Sequence, residues 1–115
     1  MTTQEFVDAM RELVVDRLAS EITGMLANPP GRRPSTEVAE LSQWYNQLSP
    51  GDQASVKRLL GLAARYAVLG VFAALDGSAK IDRSWAPGDH FELRHVTQRG
   101  SELIAGRETA LHELL

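Results

Sequence analysis

The chain has 115 residues, of which 43% are hydrophobic and 23% charged, with a formal net charge of −3 and no cysteine. That length suits one domain, residues 1–115, able to bury roughly two-thirds of the surface its unfolded chain exposes. The charge balance lacks the basic footprint usual for nucleic-acid binding, and the missing cysteines exclude a disulfide, a thiolate nucleophile and a Cys-ligated zinc.

The opening decapeptide MTTQEFVDAM has no basic region leading into an apolar core. No secretory signal is therefore expected, and a cytoplasmic location is. A first helix is predicted over about residues 3–27. Thr2 and Glu5 have capping-box spacing, and Phe6, Met10, Leu13, Val14, Leu18, Ile22 and Met25 recur at the helical period. Asn28-Pro29-Pro30-Gly31 must stop it, and Arg32-Arg33-Pro34 continues the turn as an exposed, solubilising loop.

A second helix is expected over about 35–48, capped by Ser35, with Val38, Leu41, Tyr45 and Leu48 on one face and Trp44 at the edge of the core. The connection to the next helix is so short that the two are expected to pack as neighbours.

The third and longest helix is predicted over about 50–76. Ser49 can cap it, Pro50 suits its first position, Asp52 favours its positive end, and Gly77 can close it in a left-handed conformation. Val56, Leu59, Leu60 and Ala63 form an apolar stripe, and Tyr66–Leu75 has no polar break. This half is expected to be covered all round. Ala63, Ala67, Gly70 and Ala74 form a row of small residues that would let a second helix approach closely, so leucine at Gly70 is predicted to overpack. A membrane span is not expected, because Leu59–Leu75 is short and carries Arg65 near its middle.

Beyond Gly77, residues 78–90 have Pro, Gly and Asp without a period, and read as an irregular link carrying Ile81 and Trp85 inward. Phe91–Val96 partly alternates and Gln98-Arg99-Gly100 can turn, which suggests a small β-hairpin over about 91–105 lying on the helices. A final helix over about 108–115 would place Leu111 and Leu114 on the body. The string SELIAGRETALHELL is also compatible with a mostly helical end. The fold expected is mostly α: three main helices, a C-terminal hairpin and a short last helix.

His90, His95 and His112 have no metal-binding spacing, and no metal or other cofactor is expected. Asp89 and Glu92 lack a matched general acid, the glycines never gather into a phosphate loop, and there is no nucleophile elbow. A non-enzymatic protein is the expectation. The strongest signal outside the core is acidic. Glu5, Asp8, Glu12 and Asp16, spaced three, four and four, share one face of the first helix in an α-helical register. Like charges at that spacing oppose the helix slightly, and no cation lies on the line to offset them. They are candidate docking residues for a basic partner, set against a plainly solvated face.

The second half resembles small bacterial immunity proteins of contact-dependent and other polymorphic toxin systems. The resemblance lies in a long helix ending in Leu75-Asp76-Gly77, an irregular link, the extended Phe91-Glu92-Leu93, and the closing Leu111–Leu115. It implies a toxin inhibitor that binds one cognate, basic toxin domain, and it carries over no binding residues. Two other readings stand beside it: a small-molecule-binding or regulatory domain with a pocket beside Tyr66–Leu75, and a helical homodimer.

Overall fold

The computed structural model describes residues 1–77 and 84–115. In chain order the elements are α1 (Thr3–Met10), a π-helical turn (Arg11–Val15), α2 (Asp16–Ala27), α3 (Thr36–Gln47), α4 (Pro50–Leu75), β1 (Leu93–Thr97), β2 (Gly100–Ala105) and α5 (Leu111–Leu114). Three helix starts are set by short polar side chains. Thr2 and Glu5 form a reciprocal capping box. Ser35 Oγ accepts from the Val38 N–H at 3.2 Å, and Ser49 Oγ accepts from the Asp52 N–H at 3.1 Å. Gly77 takes φ +83° just beyond α4, a conformation that costs glycine little.

The first helical stretch has the expected bounds but is not uniformly α. Val7, Met10 and Val14 turn inward before the π turn closes, and Ala19, Thr23 and Leu26 after it. Five positions separate Val14 from Ala19, where α spacing allows three or four. One wide turn absorbs the extra residue, with the Asp16 N–H bonded to the Arg11 carbonyl. This slip lets both Val14 and Val15 pack against the core, while Leu13 is 56% exposed.

α3 packs on α2 rather than on α4 as the short link suggested. Ser42 is buried; its Oγ donates to the Leu26 carbonyl at 2.5 Å, and Asn46 Nδ2 approaches the same oxygen at 3.3 Å. The C-terminal turn of α2, which has no helical donors of its own, thus finds them on α3. Tyr45 is buried, whereas Leu41 and Trp44 lie 44% and 49% exposed.

α4, about 39 Å long at 1.5 Å per residue, is covered on one side only. Ala64, Val68 and Phe72 are its buried residues. α2 crosses at Gly61, where an added Cβ would lie 4.0 Å from that of Ala19. Farther along, the π turn and α5 cover the Val68–Phe72 region, and the Phe6 and Phe72 rings meet at 6.0 Å. The expectation of all-round burial is overturned. Of the small-residue row, Ala63, Ala67 and Gly70 are exposed and Ala74 is half-buried. Among the described residues nothing lies within 4 Å of a Cβ built on Gly70, so the overpacking expected there has no close neighbour to cause it. Leu59, assigned to the core stripe by its spacing, is 64% exposed. The hydrophobic residues of α4 outnumber the positions that the neighbouring helices can cover.

The hairpin pairs β1 with β2 antiparallel, Arg94 opposite Leu103 and Thr97 opposite Gly100, with a register irregularity between Leu93 and Arg94. Ile104 and Ala105 are buried, while Val96 near the tip is 73% exposed. Thr3 Oγ1 donates to the Ile104 carbonyl, which ties the start of α1 to β2. Trp85 is half-buried and its ring meets that of Phe91 at 5.0 Å in a tilted arrangement; Ile81 lies outside the described residues. The last helix is shorter than expected. It turns Leu111 inward, and Leu115 beyond it, leaving Leu114 37% exposed.

Because Phe72 is 2% exposed and joins α1 and the C-terminal end to α4, Phe72→Ala should cost about 3–5 kcal/mol of unfolding free energy. Val71→Ala, one residue away but 58% exposed, should stay within about 0.5 kcal/mol. Urea titrations of the two variants test this; equal losses would refute the one-sided burial of α4.

Candidate functional site

The four acidic candidates lie on α1, the π turn and the start of α2, and all four are exposed. The π turn rotates α2 relative to α1 by about one residue's worth of helix, roughly 100°. Glu5, Asp8, Glu12 and Asp16 therefore do not fall on the single line that continuous α spacing implies. Nor are they without cations. Arg11 Nη1 contacts Asp8 Oδ1 at 2.8 Å, and Arg17 Nη2 contacts Glu12 Oε1 at 2.9 Å. The latter pair spans five residues, a reach that the π turn provides. Glu5 is engaged in the capping box.

The Asp8 carboxyl is held below its ordinary pKa by a hydrogen bond from Gln4, then by Arg11. The acidic cluster is accordingly a partly neutralised surface, not four free carboxylates. Arg11 also reaches the main-chain oxygens of Leu114 and Leu115, at 2.8 and 2.9 Å, so the same residue anchors the C-terminal helix.

At the far end of α4, Asp76 and His112 join side chain to side chain, and the His112 N–H also donates to Asp76 Oδ2 at 3.3 Å. The Asp76 side chain is 1% exposed. This hydrogen bond, with the Coulombic pull of the same carboxylate, raises the His112 pKa above its ordinary value against a smaller desolvation effect. His90 and His95 are exposed, and His90 precedes the strand instead of lying on it. Among the described residues no group of three or more His, Asp or Glu is placed to hold a metal.

The groove beside Tyr66–Leu75 is lined by Met10, Val14, Ala67, Val68, Val71 and Phe72 and encloses about 170 Å³. That is below the ~300–1,000 Å³ of typical small-ligand sites. A second apolar groove, about 320 Å³, runs between α1 and β1, where Phe6 and Leu13 face Leu93.

The largest feature is a surface that includes Leu59, Ala63, Tyr66 and Gly70, residues the hydrophobic pattern assigned to the interior. Opposite Ala64, Val68 and Phe72, α4 presents the exposed Leu59, Leu62, Ala63, Tyr66 and Gly70, with Ala73 half-buried at the end of the row. Leu59, Leu62 and Tyr66 are 64%, 52% and 65% exposed. The helix is long and apolar enough by length and composition to cross a membrane, and only 17% of its most apolar 18-residue window is buried. The chain exposes 8292 Å², whereas a compact monomer of this mass exposes about 6,200 Å². Its radius of gyration is 18.5 Å, against about 13 Å for a compact chain of this length.

The signal was present in the sequence: Leu59, Tyr66 and Ala73 recur at sevens, with Leu62 between them, on the side away from Ala64 and Phe72. Searches of family models, curated proteins and solved structures find no match to this chain.

The Asp76–His112 contact gives a pH test. Because the folded pKa of His112 is raised, its stabilisation is fully present below the unfolded pKa of about 6.5 and is lost as pH rises through the folded value. The gap in thermal midpoint between the parent chain and His112→Ala should be widest below the unfolded pKa and narrow as pH is raised above it. A gap that widens with pH would show that the imidazolium form does not hold the contact.

Proposed function

We propose that the chain is a non-enzymatic protein-binding module and, on its resemblance to small bacterial immunity proteins, an inhibitor that neutralises a basic toxin domain in the cytoplasm. The observation that supports a binding module most directly is the uncovered apolar face of α4. Soluble monomers rarely leave a contiguous apolar surface of this extent unless another molecule covers it. The toxin reading adds the acidic residues of α1 and its continuation. Glu12 and Asp16 would meet the cationic surface of a nucleic-acid-processing toxin, and complementary charge of this kind accelerates encounter.

Arg17 refines the mutational expectation. Glu12→Lys exchanges an ion pair for a repulsion with Arg17, so a small loss of stability, about 0.3–0.5 kcal/mol, should accompany it. Asp16→Lys should leave stability within that range. With the toxin domain encoded beside this gene as the probe, the double substitution should slow association at least tenfold at low salt and much less at high salt. Co-expression of the unmodified chain should protect cells from that toxin. Binding without a change in low-salt rate would reject the acidic docking face, and absence of both binding and protection would reject the immunity reading.

A further inference from the structure

We infer that the uncovered face of α4 is occupied by α4 of a second copy of this chain, packed antiparallel about a two-fold axis at Tyr66. The inference rests on reading that face as an interface and names its partner.

Three observations carry it. The first is exposure. On this one face Leu59, Leu62 and Tyr66 are 64%, 52% and 65% exposed and Gly70 is exposed, an apolar strip running about 21 Å along the helix to Ala73 that a partner helix of the same kind would cover.

The second is the order of side chains along the face. Its N-terminal half carries the large residues Leu59 and Leu62, and its C-terminal half carries Gly70 and Ala73. A parallel pair would set leucine on leucine at one end and glycine on glycine at the other, leaving the axes splayed. An antiparallel pair centred on Tyr66 sets Leu62 against Gly70 and Leu59 against Ala73 of the other copy. Large meets small on both sides of the axis, where the two Tyr66 rings meet, so neither end of the pair is splayed. Gly70 has open space around its Cα, as a close approach from outside requires.

The third is charge. Between Asp52 and Asp76 the only charged residues on α4 are Lys57, Arg58 and Arg65. Antiparallel packing brings Arg58 beside the C-terminal turn of the other helix, whose carbonyl end is partly negative. Arg65 falls near the axis, and its guanidinium is turned back to the Leu115 main-chain oxygen at 3.2 Å.

A lipid surface fits less well. The face offers alanine and glycine over half its length, and the chain as a whole is acidic.

Sedimentation equilibrium of the full chain should return a dimer at micromolar concentration. Gly70 is exposed with open space at the position of a Cβ, so Gly70→Leu should keep the parent's circular dichroism while weakening the dimer at least tenfold. The absence of native cysteine makes cross-linking a second, independent readout. Under mild oxidation Tyr66→Cys should link to itself. Leu59→Cys should not, because its two copies would lie about 21 Å apart along the axis, but it should link to Ala73→Cys in a mixture.

A monomer at 100 µM, or self-linking of Leu59→Cys, would overturn the proposal. So would a monomeric chain that sediments with phosphatidylglycerol–phosphatidylcholine vesicles. If the chain is monomeric yet Leu59→Glu abolishes toxin binding, the dimer fails while the binding-module reading stands. If Leu59→Glu also leaves toxin binding unchanged, α4 fails as an interface altogether.

Discussion

Phe72 is the point on which the termini and the long helix agree. It is 2% exposed and shares a buried cluster with Val7, Val68, Ala105, Leu111 and Leu115, residues drawn from α1, α4, β2 and the C-terminal end. On either side of it exposure along α4 alternates by face, Ala64 and Val68 being buried while Val71 next to it is 58% exposed. The other contact of consequence is the α2 crossing at Gly61, which faces Ala19. Between these two anchors α4 behaves as a beam supported along one edge.

That support explains why a helix so rich in hydrophobic residues is so poorly buried. A helix neighbour covers a stripe about 100° wide. α2, the π turn and α5 all approach α4 from the Ala64–Phe72 side. α3, which could have closed the opposite side, is drawn instead to the end of α2, where Ser42 and Asn46 satisfy the Leu26 carbonyl. A composition that would be ordinary in the middle of a large domain therefore becomes a surface in this one.

Local chemistry was legible in the sequence, and tertiary assignment was less so. Thr2, Ser35, Ser49, Pro50 and Gly77 mark element ends through hydrogen bonds and backbone preferences that act within four residues, and the structure places each in that role. The hairpin was legible for the same reason, since the turn chemistry around Gly100 is local. Which face of α4 turns inward depends on partners distant in sequence. The row Ala63, Ala67, Gly70 suits a helix contact equally well from inside or outside the chain. The π turn was hidden because its one-residue slip leaves each half of the apolar pattern locally regular. That slip moves Glu12 and Asp16 off the line of Glu5 and Asp8 and gives Glu12 a cation in Arg17.

The contacts at the two ends of the molecule also differ in how much chain they close. Ser42 reaches Leu26 across 16 residues, whereas Thr3 reaches Ile104 across 101 and Arg11 reaches Leu114 across 103. Closing a loop costs more entropy the longer it is, and contacts of large sequence separation slow folding. The α2–α3 corner is thus expected to form early and without help from the rest of the chain. The Phe72 cluster must wait until β2 and α5 exist and both ends of the polypeptide have come together. During synthesis α4 would emerge after α2 and the π turn but before α5, so its Val68–Phe72 region would wait for the C-terminal part of its cover. In that interval, mass action would favour whatever partner α4 meets first.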